Sequence, residues 1–303
     1  MGKILKIVGA AGLVFFGLIN LSSPYIHPPE IEARAAIVMD AESNEVLFAK
    51  NEEEPFAAAS MTKMMTEYLV LEAIQKGYLS WEDRVQISGN AVSSEGVFIP
   101  VKLGDELTVR DLFIAMAVAS ANNAAVALAE RLSGSEKSFV SLMNSKAEEF
   151  GLSNETVFVN ATGLQDQATG EESRMAASDV ARLAVRLIDD FSEILVVSSL
   201  SEYVLAYDGS TIYTTNEMLD GHPSGLAFKG VDGLKTGYTT KAGYCFAGTA
   251  KQGERRLISV VMGTNEKQSR FIETKKLFAY GFKDPNIPSL KYHASEVFTR
   301  FMP

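Results

Sequence analysis

The chain has 303 residues, enough for one large domain or two small ones with a buried core. Its hydrophobic share of 47% and charged share of 22% are ordinary for a globular enzyme. A formal net charge of -10, from 28 basic against 38 acidic residues, argues against a nucleic-acid binder, which needs a basic face. The single cysteine, Cys245, cannot form an internal disulfide, and its apolar neighbours Tyr244 and Phe246 mark it as a core residue.

Lys3 and Lys6 precede an apolar run over residues 7–21. This order resembles the first two regions of a secretory signal, and the run is short for a membrane-spanning helix. The one Ala-x-Ala, Ala33-Arg34-Ala35, leads straight into an apolar strand. Cleavage is therefore expected near Ser22 or Ser23, or the segment stays as an uncleaved anchor followed by a stiff spacer at Pro24, Pro28 and Pro29. Either outcome puts the remainder of the chain outside the cytoplasm, with membrane association through the N-terminal segment in the second case.

Residues 35–39 and 45–49 read as two strands joined by a polar turn. After Ser60, apolar residues at Met61, Met64, Met65, Tyr68, Leu71 and Ile74 fit a helix that stops at Gly77. Further helices are expected over 109–119, 124–132, 139–150 and 177–188. Strands follow at 202–206, 211–214, 231–236, 244–250 and 257–263, and a last helix over 269–280. Strands first, helices in the middle, then strands and a helix give an α+β class, with the first and last strands able to share one sheet.

Three short motifs carry chemistry. Ser60-Met61-Thr62-Lys63 sets a hydroxyl and an amine one helical turn apart, with β-carbons about 5–6 Å from each other. A serine needs a base to take its proton, and burial beside another cation lowers a lysine enough to serve. A serine at a helix start also has free N–H groups around it for a developing oxyanion. Taken alone the pattern also fits a helix cap and a surface lysine.

Ser120-Ala121-Asn122 falls at a break between two helices, where the hydroxyl can relay a proton and the amide can hold a peptide. Alone it also fits helix capping. Lys235-Thr236-Gly237 ends a strand, with Lys235 and Gly237 on one face and Thr236 on the other. The glycine leaves room for a substrate backbone, and the lysine and hydroxyl suit a terminal carboxylate. Alone it also fits a strand edge with a solvated lysine. Ser-x-x-Lys, Ser-x-Asn and Lys-Thr-Gly in this order are the serine acyl-enzyme signature of penicillin-binding proteins and β-lactamases.

The flanking residues narrow the class. Residues 232–239 with 241–244, residues 158–164 and residues 120–125 are similar to the low-molecular-weight penicillin-binding proteins that act as D-Ala-D-Ala carboxypeptidases, peptidase family S11. The resemblance covers about 33–282. It implies a β-lactamase/transpeptidase-like domain, an antiparallel sheet flanked by helices plus a mostly helical subdomain.

By the same resemblance Ser60 is the acylated nucleophile, Lys63 its base and Ser120 the shuttle towards the leaving D-alanine. Asn122 holds the penultimate peptide bond, Lys235 supplies charge and Thr236 binds the carboxylate. Gly237 accommodates the substrate strand, the N–H groups of Ser60 and Tyr238 form the oxyanion hole, and Arg270 assists with the carboxylate. The substrate would be a peptidoglycan stem peptide ending in D-Ala-D-Ala, β-lactams would trap Ser60, and no metal or organic cofactor is implied.

The implied layout is an N-terminal signal or anchor with spacer over 1–30, the enzyme domain over 31–283 and a short tail over 284–303, too short for the C-terminal β domain of many members. A class A β-lactamase would need Ser-Asp-Asn and a glutamate four residues before an asparagine; here Ala121 and Thr156, four before Asn160, stand at those places. A DD-endopeptidase using the same site, or an inactive wall-binding homologue, would carry the same three motifs. No Gly-x-Ser-x-Gly or His-Glu-x-x-His motif is present, and His222 before Pro223 reads as a loop residue.

Overall fold

The structure is a computed structural model that describes residues 28–283. The expected leader or anchor and the expected tail lie outside these residues, apart from Pro28, Pro29 and Glu30.

The chain opens with strands β1 (Ala35–Asp40), β2 (Val46–Lys50) and β3 (Phe56–Ala57), then a 3-10 turn, Ala59–Thr62. Next come α1 (Lys63–Gln75), β4 (Arg84–Gln86), α2 (Gly89–Ser93), β5 (Glu106–Thr108), α3 (Val109–Val118), α4 (Asn122–Ser133) and α5 (Glu136–Glu149). After β6 (Arg174–Met175) follow α6 (Ala177–Asp190), α7 (Ile194–Ser198), β7 (Glu202–Val204) and β8 (Thr211–Tyr213). Long strands β9 (Val231–Thr239), β10 (Gly243–Gln252) and β11 (Arg255–Thr264) and helix α8 (Ser269–Phe282) complete the described region.

Five strands form one antiparallel sheet in the order β2-β1-β11-β10-β9. The first strand and the last are neighbours, paired from Ala35 opposite Met262 to Asp40 opposite Leu257. The α+β class and the sharing of one sheet by early and late strands agree with the sequence pattern, and the antiparallel sheet agrees with what the family resemblance implies. Both faces of the sheet are covered, so β1 reads as a continuous apolar run instead of an alternating one. Ala35, Ile37 and Met39 join the large core on the helical side together with Cys245, Ala247, Val260 and Met262. Residues of the other parity turn to α8, where Phe246 meets Phe271 edge-on at 5.2 Å.

Helix α1 is buried around its whole circumference: Met64 through Leu71 are all buried. A helix with no solvated face belongs inside a cluster, and α1 packs among α3 to α6. Helix boundaries follow the caps more closely than the apolar periodicity. α5 starts at Glu136, three residues before the expected start, because the Ser135 hydroxyl accepts from Ser138 N–H. α4 starts at Asn122 and ends at Gly134, which sits in the left-handed region at φ 75°. The two-to-three-residue strands β3 to β6 and the single-turn helices α2 and α7 are too short to show a periodicity and have no counterpart in the sequence pattern.

Candidate active site

The turn that carries Ser60 is set by its neighbours. Ala58 N–H donates to Ser173 O at 2.9 Å, and Ala59 turns the chain with a φ of 46°. Ser60 therefore lies in a 3-10 turn, and the α-helix proper begins at Lys63, whereas the spacing alone predicts Ser60 at the helix start itself. Two glycines allow this turn to sit against other segments. A β-carbon on Gly163 would fall 1.8 Å from Ala59 O. One on Gly237 would fall 3.1 Å from Ala59 Cβ and 3.2 Å from Ser60 N. The edge strand β9 thus runs directly beside the Ser60 backbone.

Lys63 Nζ stands 2.9 Å from Ser60 Oγ, 2.6 Å from Asn122 Oδ1 and 2.8 Å from Thr162 O. The Asn122 amide is oriented because its Nδ2 donates to Glu95 O at 2.6 Å. The Thr162 carbonyl is held by an Asx-type loop, in which Asn160 Oδ1 accepts from Gly163 N–H at 2.7 Å and Thr162 N–H at 3.1 Å. Lys63 is fully buried, and burial, followed by repulsion from Lys235, holds its amine well below the ordinary lysine range. Glu67, one turn further on α1 and also buried, opposes that shift. The Glu67 carboxyl is itself pushed up by burial.

Lys235 is 1% exposed and so is not a solvated strand-edge lysine. Burial lowers its amine. The Thr236 hydroxyl donates to Thr215 Oγ1 at 2.7 Å. Gly237 O accepts from Arg270 Nη1 at 3.2 Å. Arg270 is 4% exposed, its Nε has no partner among the described residues, and its guanidinium lies 5.6 Å from the Tyr244 ring centre. Burial brings the guanidinium down to about 10, which leaves it a cation at neutral pH. Tyr238 is half exposed and stacks on Tyr244 at 4.2 Å.

A cleft of about 560 Å³ is lined by Ser60, Ser120, Asn122, Thr236, Gly237, Tyr238 and Arg270. Lys63 and Lys235 are buried behind its wall. All the residues selected from the sequence therefore meet at one place, although Ser120 reaches it differently from the others. Ser120 is buried with a left-handed φ of 65°, and its hydroxyl makes no hydrogen bond to another described residue. Asn122 is the first residue of α4, not part of the turn before it.

Thr156 spends its hydroxyl on Asp179 Oδ2 at 2.7 Å, so that position offers no carboxylate to the cleft. His222 lines the cleft from a loop, bonded to Ser224. The backbone acceptors Thr162 O and Glu95 O, buried Glu67 and the cleft residues Thr215, Glu217 and Lys267 were not selected from the sequence. Of these, only Thr162 falls in a stretch with a signal in the sequence, residues 158–164, which carry part of the family resemblance.

Electrostatically, the cleft joins a hydroxyl, an amine whose hold on its proton is weakened by burial, and a cationic end made by Arg270. That combination suits attack on a carbonyl near a carboxylate terminus.

A family model described as D-alanyl-D-alanine carboxypeptidase matches residues 23–266. The chain is 38% identical over 253 residues to the D-alanyl-D-alanine carboxypeptidase DacF of Bacillus subtilis, covering 83% of this chain and 62% of that relative. It is 35% identical to DacC of Escherichia coli, covering 85% of this chain and 63% of the relative. The chain thus spans a little under two thirds of the length of these curated relatives. Among solved structures, penicillin-binding protein D2 of Listeria monocytogenes in its cefotaxime-bound form superposes with a TM-score of 0.76 at 35% identity. That superposition covers 84% of this chain and 99% of the other.

Proposed function

The chain belongs to the D-alanyl-D-alanine carboxypeptidase family, and on that premise we propose that it removes the terminal D-alanine of peptidoglycan stem peptides through an acyl-enzyme on Ser60. The observation that carries this reading is the set of contacts at Lys63 Nζ. Two of its three neighbours, Asn122 Oδ1 and Thr162 O, only accept. A neutral amine has two N–H groups and one lone pair. With both N–H groups committed, the lone pair faces Ser60 Oγ at 2.9 Å.

In the proposed reaction Lys63 takes the Ser60 proton as Oγ attacks the penultimate D-alanine carbonyl. The N–H groups of Ser60 and Tyr238 receive the oxyanion, and Asn122 holds the peptide bond. Thr236, with the charge of Lys235 and Arg270 behind it, holds the terminal carboxylate beside Gly237. Ser120 passes a proton to the leaving D-alanine. Water then hydrolyses the ester. A β-lactam would form the same ester and leave it slowly.

The test is labelling by a fluorescent penicillin together with D-alanine release from a pentapeptide. Wild type is expected to label with one equivalent and release D-alanine, and Ser60→Ala to do neither. A Ser60→Ala variant that labels like wild type would sink the nucleophile assignment. Rapid catalytic loss of penicillin without a persistent label would favour a β-lactamase.

The same reading places the enzyme outside the cytoplasm, as its substrate requires, with residues 31–283 as the enzyme domain. Lys3, Lys6 and the apolar run 7–21 support an export signal or N-terminal anchor. Fractionation of cells carrying the tagged chain checks this; retention of the active protein in the cytosolic fraction would contradict it.

A further inference from the structure

An ion pair crosses the cleft at its carboxylate end. Glu217, in the segment after β8, and Lys267, in the turn before α8, meet at 2.8 Å, and both line the cleft. Lys267 is the outer partner, with 62% of its side chain exposed against 10% for Glu217. The position of the pair follows from its neighbours. Glu217 is two residues after Thr215, which holds the Thr236 hydroxyl, and Lys267 is three residues before Arg270. The pair thus lines the cleft beside the segments that bring in Thr215 and Arg270, and the Glu217 carboxylate is close enough to Arg270 to act on its charge.

A carboxylate in this place opposes the chemistry of its surroundings. Thr236 and Arg270 are suited to an anion, and a bare Glu217 would repel one. Lys267 is the only side chain that pairs with the Glu217 carboxylate among the described residues. The pair is neutral as a unit and joins two segments that come together only through the fold. It adds bulk across the end of the cleft without adding charge.

Bulk at that point selects between leaving groups. Removal of a terminal D-alanine expels one amino acid whose side chain is a methyl group. Cleavage of a cross-link expels a D-configured centre with the same free carboxylate, but with a second peptide trailing from its side chain. Both leaving groups put their carboxylate at the Thr236 end, and only the first ends there.

We infer that the Glu217–Lys267 pair is the end stop of the leaving-group subsite, and that it confines the site to single D-amino acids with small side chains. This inference rests on the carboxypeptidase reading of the same cleft.

The test compares two acylated peptides, one ending in D-Ala-D-Ala and one in D-Ala-D-Leu, with released D-amino acid as the readout. Wild type is expected to favour D-alanine by at least about tenfold in kcat/KM, the scale on which a pocket rejects added methylenes. Glu217→Ala/Lys267→Ala removes stop and charge together, and should shrink that preference by about tenfold. Lys267→Ala alone changes an exposed residue and leaves Glu217 uncompensated. It should raise KM for the D-Ala-D-Ala peptide several-fold with kcat held, and added salt should reverse the rise.

A merely structural role would lower both constants or the melting temperature, and would not respond to salt in this way. A double variant that melts like wild type and keeps the wild-type preference overturns the end stop. If wild type releases no D-amino acid from either peptide, the carboxypeptidase reading falls and the end stop falls with it. The two failures differ in the wild-type measurement alone.

Discussion

Lys63 is a lysine with no access to water, and that fact decides how it works. Ordinary lysine keeps its proton to a pKa near about 10.4. Burial and the neighbouring Lys235 charge both favour the neutral amine, which is the form the proposed mechanism needs to take the Ser60 proton. The sign of the pH dependence follows. A base with a lowered pKa is ready at lower pH, so the rising limb of acylation should lie well below the ordinary lysine range. Lys235→Gln removes a positive neighbour, so Lys63 should hold its proton more tightly and the limb should move to higher pH. Stopped-flow acylation by a chromogenic penicillin between about pH 5 and pH 10 measures this; a limb that stays in place or moves down would contradict it.

Asn122→Ala should slow acylation by about 10²-fold or more, the usual contribution of positioned proton transfer, because the amine loses the acceptor that aims it. The Ser60–Lys63 pairing was legible from a spacing of three, because that spacing fixes neighbours on a helical turn. The third partner was not. A carbonyl at Thr162, 99 residues further along, leaves no mark in residue identity.

At the scale of elements, the short turn Ala59–Thr62 is held between two glycine contacts, one from the 160–163 loop and one from β9. Gly163 has φ 82°, and no β-carbon fits between it and Ala59 O. Gly163→Ala must move the turn or the loop, and the loop carries the Thr162 carbonyl. We expect a loss of about 1–3 kcal/mol in stability from overpacking together with a disproportionate loss of penicillin acylation in the protein that remains folded. Chemical denaturation and labelling of the same sample separate the two; full-rate labelling would show that the loop does not position Lys63.

The sequence showed the long helices and strands well because their apolar residues recur over several turns or fill both sheet faces. It placed their ends less well, because ends are set by single caps such as Ser135 and by left-handed residues such as Gly134. Ala59 and Ser120 also have positive φ without being glycine, which no propensity argument anticipates.

At the scale of the whole molecule, the sheet is a partition. The helical cluster and the cleft lie on one face, and α8 covers the other, sending Arg270 to the end of the cleft. Gly281 in α8 lies close against the sheet, since a β-carbon there would fall 2.5 Å from Leu257 Cδ1. Gly281→Val should cost about 1–3 kcal/mol, or several degrees in melting temperature at about 2–4 °C per kcal/mol. It should leave the acylation rate of the folded protein near wild type at room temperature, because the strain is on the face away from Ser60. Calorimetry with parallel labelling checks the pair of outcomes; slowed acylation without a lower melting temperature would mean that α8 transmits strain to the cleft.

The sequence suggested that early and late strands share a sheet, but not that β1 lies between β2 and β11. That order has a consequence for the chain as it is made. A ribosome delivers β1 long before β11, and until β11 arrives β1 has only its hairpin partner. Arg270 emerges later still. Until then β1 lacks the strand that pairs its second edge and the helix α8 that covers its second face, which is the condition in which long-range sheets fold slowly and need protection. A penicillin offered to chains still on the ribosome should find nothing to label until the last strand and helix have been released.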